Sequence, residues 1–158
     1  MPLRDANGAR AELILRAHEE GVAFRYRLLG EGESVVTSES TGFAIGSGSR
    51  VLTRVYDGGE VVFVPTAGAY EQPPEIVPLG QPTDTTGFAY PTLFERLGDE
   101  PSYIMVSEAD LGRTFCATRL DGSPQGNLHR ARFPDEREGR GIGDVLPRSA
   151  LPFATPWR

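Results

Sequence analysis

Apolar and polar residues alternate in short runs along most of the chain. The clearest run is 22–28, in which every second residue is apolar: Val22, Phe24, Tyr26 and Leu28. A period of two places these side chains on one face and predicts a β-strand. The preceding run, 11–17, alternates less regularly, but Glu19, Glu20 and Gly21 form a turn signal between the two runs. We therefore predict that both runs are strands of one β-hairpin.

Further strand-like runs follow, each ended by turn-forming residues. They are 34–37, 50–56, 61–64, 103–106, 114–120 and 128–133. No long segment has a helical period, and the chain contains 19 glycines and 13 prolines, which interrupt regular structure. Short strands with a turn roughly every 8–12 residues are typical of an antiparallel sandwich. The pattern predicts an all-β protein, an antiparallel β-sandwich.

The length of 158 residues favours a single domain, 1–158. Segment 66–86 is rich in proline and is predicted as a long loop. The composition changes again after Phe133, where 134–143 carries charges and glycines with few apolar residues. We predict that 134–158 is a loop-rich tail.

The charge of the chain argues against nucleic acid as a partner. The formal net charge is −6 and every basic residue is an arginine, without the basic stripe that a phosphate backbone requires. One local group of arginines alternates with acids, which is typical of a solvated loop: Arg130, Arg132, Arg137 and Arg140 with Asp135, Glu136 and Glu138.

Redox and targeting signals are sparse. The single cysteine, Cys116, excludes an internal disulfide and is predicted as a buried thiol in a strand. Residues 1–10 lack an apolar leader, and no stretch approaches the length that crosses a bilayer. Taken as written, we expect a cytoplasmic polypeptide with no membrane partner.

Two carboxylates follow the apolar run 103–106. Glu108 and Asp110 would share one face of a strand, which suits a shared cation and equally suits a solvated turn. Zinc chemistry is disfavoured by one cysteine and two histidines, and no nucleophile elbow occurs. A glycosidase-type carboxylate pair stays open, with Glu39, Glu71 and Glu108 as candidates, because sequence does not give the required separation.

Five motifs, in order, resemble the N-terminal domain of glycoside hydrolase family 97. Segment 20–26 is similar to the family's strand D-G-V/I-A-F-R-Y, and 38–43 resembles its E-x-T-x-F segment. Ala69-Tyr70-Glu71 resembles a Y-E loop, and 107–111 resembles t/s-E-A-x-L. Pro156-Trp157-Arg158 is similar to a P-W-R motif.

The resemblance implies a fold and a set of partners. In the family, a β-supersandwich similar to galactose mutarotase packs on a catalytic (β/α)8 barrel that acts on α-glucosides and α-galactosides. Calcium is held mainly by barrel glutamates, with one glutamate supplied by the N-terminal domain. Such enzymes are often periplasmic or secreted.

Carried onto this chain, the resemblance assigns residues to roles. Glu108 is the expected calcium ligand, whereas Asp110 falls where the motif varies. Glu39, Tyr70 and Glu71 are expected to contact an α-linked carbohydrate. The catalytic residues would lie on the barrel, so we expect a non-catalytic domain that supports the barrel, lines the sugar cleft and supplies a calcium ligand.

One departure from the family bears on completeness. Strands that open the family's domain have no counterpart before Ala11. We therefore expect an incomplete sandwich whose tail leads toward an absent barrel, with exposed strand edges that favour self-association.

Two alternatives stay open at this point. A free-standing carbohydrate-binding or mutarotase-like sandwich would need a histidine, His18 or His129, to meet Glu71 or Glu108 across a sugar ring. The other alternative is a reading frame with no function of its own.

Overall fold

A computed structural model describes residues 1–46, 49–55, 73–79, 87–112, 115–122, 127–134 and 146–158. In these residues the regular structure consists of antiparallel β-strands. They are β1 Pro2–Arg4, β2 Arg10–His18, β3 Gly21–Leu29, β4 Glu33–Val35, β5 Gly42–Ala44, β6 Ser49–Val55, β7 Glu75–Pro78, β8 Phe88–Arg96, β9 Ser102–Val106, β10 Arg119–Leu120, β11 Leu128–Arg132, β12 Arg148–Ala150 and β13 Phe153–Ala154. The predicted all-β sandwich class is confirmed.

The chain divides into two compact units. The first comprises Met1–Thr37, Glu108–Cys116 and Leu146–Arg158, and the second comprises Ser38–Ser107 and Ala117–Val145. No helix in the described part of the chain is long and apolar enough to span a membrane.

The first unit is organised around the predicted hairpin. β2 and β3 pair along nine residues each, from Arg10 opposite Leu29 to His18 opposite Gly21. The sheet order is β1-β2-β3-β13, and β4 pairs separately with β12. Alternation and the Glu19-Glu20 turn are both local signals, which explains why this element was predictable.

The second unit is built on one larger sheet. Its strand order is β5-β11-β10-β8-β6-β7, with β9 paired to β8. The buried face packs around Val51, Phe88, Phe94 and Leu120, each with no solvent exposure. β8 carries most of this pairing, although its central Pro91 had hidden it from the sequence patterns.

Three predicted segments differ from the structure. The predicted loop 66–86 contains β7, Glu75–Pro78, which pairs with β6. In the described part of the predicted strand 114–120, which begins at Phe115, only Arg119–Leu120 is in a ladder, and Cys116 is half-buried outside any strand. Residues 148–154, predicted within a loop-rich tail, contribute β12 and β13. Local strand propensity does not specify a partner strand, so tertiary pairing decided all three cases. The predicted strand 61–64 lies outside the described residues.

Candidate functional site

Three of the motifs that carried the family resemblance meet in the first unit. The backbone of Ala109 exchanges two hydrogen bonds with that of Trp157, at 3.1 and 2.9 Å. Arg158 likewise exchanges two backbone hydrogen bonds with Phe24 of β3, at 2.8 and 2.9 Å. The segment 155–158 therefore links β3 to the loop that carries Glu108.

Glu108 forms a buried ion pair with Arg158. Its Oε1 lies 2.8 Å from Nη1 of the guanidinium, and the two side chains are 3% and 0% exposed. The guanidinium also lies 5.8 Å from the ring centre of Phe115. A buried carboxylate requires such a partner, because a lone charge in a poorly solvated site is costly. Arg158 thus balances the charge of Glu108 within the unit.

Asp110 takes a different environment from Glu108. Its backbone is left-handed, with φ 63°, which breaks the alternation that would have placed both acids on one face. The side chain is 68% exposed and accepts a hydrogen bond from Arg25 at 3.1 Å. The two carboxylates therefore do not form a shared cation site.

Trp157 is held by arginines of the hairpin. The guanidinium carbons of Arg16 and Arg25 lie 4.4 and 4.3 Å from the ring centre. Arg16 faces Ala23 and Arg25 faces Ile14 across the β2–β3 ladder, so both arginines project from one face. Cation–π attraction to these two guanidinium groups holds the indole ring against the β2–β3 hairpin of the first unit.

Of the three predicted carbohydrate contacts, Glu39 lies within the described residues. Glu39 is half-buried in the second unit, in the stretch between β4 and β5. Tyr70 and Glu71 lie outside the described residues. The substrate-binding roles of these three residues stay predictions.

The surroundings of Glu108 bear on its predicted role as a calcium ligand. Calcium takes about six to eight oxygen ligands, and the described residues contain no group of three or more His, Cys, Asp or Glu that could hold a metal. Glu108 faces a guanidinium at 2.8 Å. The residues described in this chain therefore do not fit a calcium ion by themselves.

His129 is enclosed in the core of the second unit. It has no solvent exposure, and its ring centre lies 5.0 Å from that of Phe94 and 6.0 Å from that of Phe88. Nδ1 is 3.3 Å from the carbonyl oxygen of Asp121. Burial lowers the pKa of His129, because an apolar site disfavours the imidazolium.

These positions weaken the mutarotase-like alternative. An acid–base pair must reach a sugar ring, but the His129 and Glu108 side chains are both enclosed. His18 is exposed at the end of β2, which leaves that alternative without a histidine–glutamate pair among the described residues.

Sequence patterns missed Arg158, the residue that pairs with Glu108. One signal was available, because Arg158 is the only charged residue in the otherwise apolar stretch 151–158. A lone charge in an apolar segment requires a counter-ion if that segment is buried.

The antiparallel sheets of the described residues define a β-sandwich domain by class. All 158 residues match the family model described as Glycosyl-hydrolase 97 N-terminal. The chain therefore belongs to the N-terminal domain family of glycoside hydrolase family 97, as the motifs predicted.

Two longer relatives agree with this membership. A protein of Streptomyces bingchenggensis (strain BCW-1), described as a probable retaining α-galactosidase, is 29% identical over 156 residues, which are 98% of this chain and 21% of that protein. A crystal structure of a β-arabinopyranosidase matches with a TM-score of 0.86 and 30% identity, covering 99% of this chain and 26% of that chain. This chain thus spans about a fifth to a quarter of the length of these relatives.

Proposed function

We propose that this domain serves a family 97 α-glycosidase as a non-catalytic partner of its (β/α)8 barrel, supporting the barrel and lining the sugar cleft. The observation that carries the proposal is the match of the whole chain to the N-terminal family model. The relatives that share this domain are named as glycosidases, and about three-quarters or more of each lies outside the matched region. That remainder is where we place the catalytic carboxylates.

The names of the two relatives narrow the proposed substrate. L-Arabinopyranose has the ring stereochemistry of D-galactose without the exocyclic hydroxymethyl group, so an α-galactoside and a β-arabinopyranoside present the same ring hydroxyls. We propose that the complete enzyme acts on a pyranoside of this configuration.

Hydrolysis of nitrophenyl glycosides tests this proposal. The 158-residue chain alone should not hydrolyse nitrophenyl α-galactopyranoside or β-L-arabinopyranoside, whereas the full-length polypeptide that carries it should hydrolyse at least one. Hydrolysis by the chain alone that is lost in Glu108→Gln, with the variant still folded by circular dichroism, would refute the non-catalytic role. A full-length polypeptide inactive on both glycosides would refute the substrate class.

The calcium role of Glu108 stays a prediction for the assembled protein, in which the barrel would supply the other ligands. It is supported by the family motif at 107–111 and opposed by the guanidinium of Arg158 at 2.8 Å. Calorimetric titration of the chain alone with calcium should show no binding, because one carboxylate is far short of a coordination shell. Binding that disappears in Glu108→Gln while circular dichroism shows the variant to be folded, with Asp110→Asn as the matched control, would show that this chain alone forms a site.

A further inference from the structure

The large sheet of the second unit carries an apolar row on the face opposite its core. The row consists of Ile76 on β7, Leu52 on β6, Leu93 on β8 and Met105 on β9. Consecutive members are direct cross-strand partners, Leu52 with Ile76, Leu52 with Leu93 and Leu93 with Met105. With strands about 4.8 Å apart, the apolar row extends about 15 Å across four strands.

Neighbouring residues show that the apolar row and the core occupy opposite faces. Val51 and Phe94 are fully buried, and Val106 is buried, although each directly adjoins a member of the row. Alternation along a strand therefore points the row away from the core.

Members of the apolar row are exposed to an unusual degree for large hydrophobic side chains. Met105 is 69% exposed, Ile76 62% and Leu52 41%. Two adjacent shallow depressions share Leu52 and Leu93 in their linings. Scattered exposed hydrophobic residues need no explanation, but a contiguous set on a regular sheet face marks an interaction surface.

On one side of the apolar row, the neighbouring residues of β6, β8 and β9 are polar, and their charges are paired. Arg50 and Glu95 are cross-strand partners and form an ion pair. The hydroxyl of Tyr103 donates to the other oxygen of Glu95 at 3.3 Å. The charges on this edge neutralise each other, whereas Arg54 lines the depression on the other side of the row together with Leu52 and Leu93. An apolar centre with a polar border suits a permanent protein interface.

We infer that the apolar row is the docking face for another part of the same polypeptide, namely the catalytic portion. This inference rests on the proposed function. In the Streptomyces relative this domain occupies 21% of the protein, so about four-fifths of that protein is available to cover it. An apolar face is tolerated in a permanent intramolecular interface, whereas on an isolated domain it would favour aggregation.

Oxidation of Met105 provides the test. Peroxide converts exposed methionine to the sulfoxide, and mass spectrometry gives the rate at each methionine. In the full-length polypeptide, oxidation of Met105 should be at least about tenfold slower than in the 158-residue chain. A Val22→Met substitution, at an exposed position of β3 in the first unit, provides the reference methionine in both proteins.

A second variant checks the surface without using oxidation. Leu52→Glu should lower the melting temperature of the full-length polypeptide while leaving that of the chain alone within about 2 °C, since surface changes cost little. Leu97→Glu, at another exposed leucine of the second unit, is the matched control and should leave both unchanged.

Three results would overturn the inference. Equal oxidation of Met105 in both proteins would show that nothing covers the apolar row. A dimer of the isolated chain that protects Met105 and is lost in Leu52→Glu would make a second copy the occupant. A gene that encodes this chain alone would remove the proposed occupant. Protection of Met105 in a full-length protein without glycosidase activity would reject the proposed function and keep the docking face.

Discussion

Removing one member of the buried Glu108–Arg158 pair should destabilise the domain strongly. In Glu108→Gln the guanidinium of Arg158, which is fully buried, loses the carboxylate that lies 2.8 Å away. The charge of this guanidinium then lacks that counter-ion in a site that water does not reach. The same reasoning applies to Arg158→Gln, which leaves the carboxylate buried without its cation.

The expected magnitude follows from the distance and the burial. At 2.8 Å and an effective dielectric constant of about 20, Coulomb's law gives an attraction of about 6 kcal/mol. Desolvation of both ions offsets much of this attraction in the intact pair, but breaking a buried pair costs roughly 3–5 kcal/mol. For a chain of this size we expect the melting temperature to fall by about 10 °C.

Thermal and urea unfolding, followed by circular dichroism, would measure this loss. Glu12→Gln is the matched control, because Glu12 pairs with Arg27 at 3.5 Å on an exposed part of the same unit and should cost less than about 1 kcal/mol. Replacing both members, Glu108→Leu with Arg158→Met, should restore much of the stability, since no buried charge remains. Equal costs for Glu108→Gln and Glu12→Gln would refute the reasoning.

Three further predictions concern other contacts. Burial lowers the pKa of His129, so the unfolded chain binds a proton more readily than the folded chain, and the stability that neutral His129 contributes is fully present above pH about 6.5 and decreases as the pH falls toward the folded-state pKa. Between pH 8 and 5 the melting temperature should therefore decrease less in His129→Gln than in the wild type. His18→Gln should keep the wild-type decrease, because it leaves His129 in place. Trp157→Leu removes two cation–π contacts and should cost about 1–2 kcal/mol in urea unfolding, and a cost near zero would show that the arginines contribute nothing. Gly87 has φ 154°, and a Cβ there would clash with the carbonyl oxygen of Leu120 on β10, so Gly87→Ala should cost about 1–3 kcal/mol. Gly98→Ala, with nothing within 4 Å, should be close to neutral, and equal melting temperatures of the two variants would contradict this.

Local patterns predicted the parts of the fold that depend on neighbouring residues. Alternation over 22–28 and the turn at Glu19-Glu20 were sufficient for the β2–β3 hairpin. The same patterns missed β8, because Pro91 interrupts its alternation, and overextended the strand at 114–120. In both segments the partner strands, rather than the local sequence, decided the outcome.

The candidate site shows the same division. The family motif at 107–111 distinguished Glu108 from Asp110. The structure also distinguishes them, because the side chain of Glu108 is buried and that of Asp110 is exposed. The partner of Glu108 was not predicted, because Arg158 is far away in sequence and is brought near by backbone pairing of Trp157 with Ala109. A motif can thus name a residue without naming what that residue contacts.

By itself, the sequence determined the all-β class, the hairpin and the membership in the family 97 N-terminal domains, because periodicity, turn residues and motif order can all be observed along the chain. The tertiary structure alone decided the pairing of Glu108 with Arg158, the enclosure of His129 and the apolar row across β7, β6, β8 and β9. Each of these depends on which strands become neighbours. Backbone hydrogen bonds are chemically alike at almost every residue, so strand pairing is settled by the packing of distant side chains, which no local pattern contains.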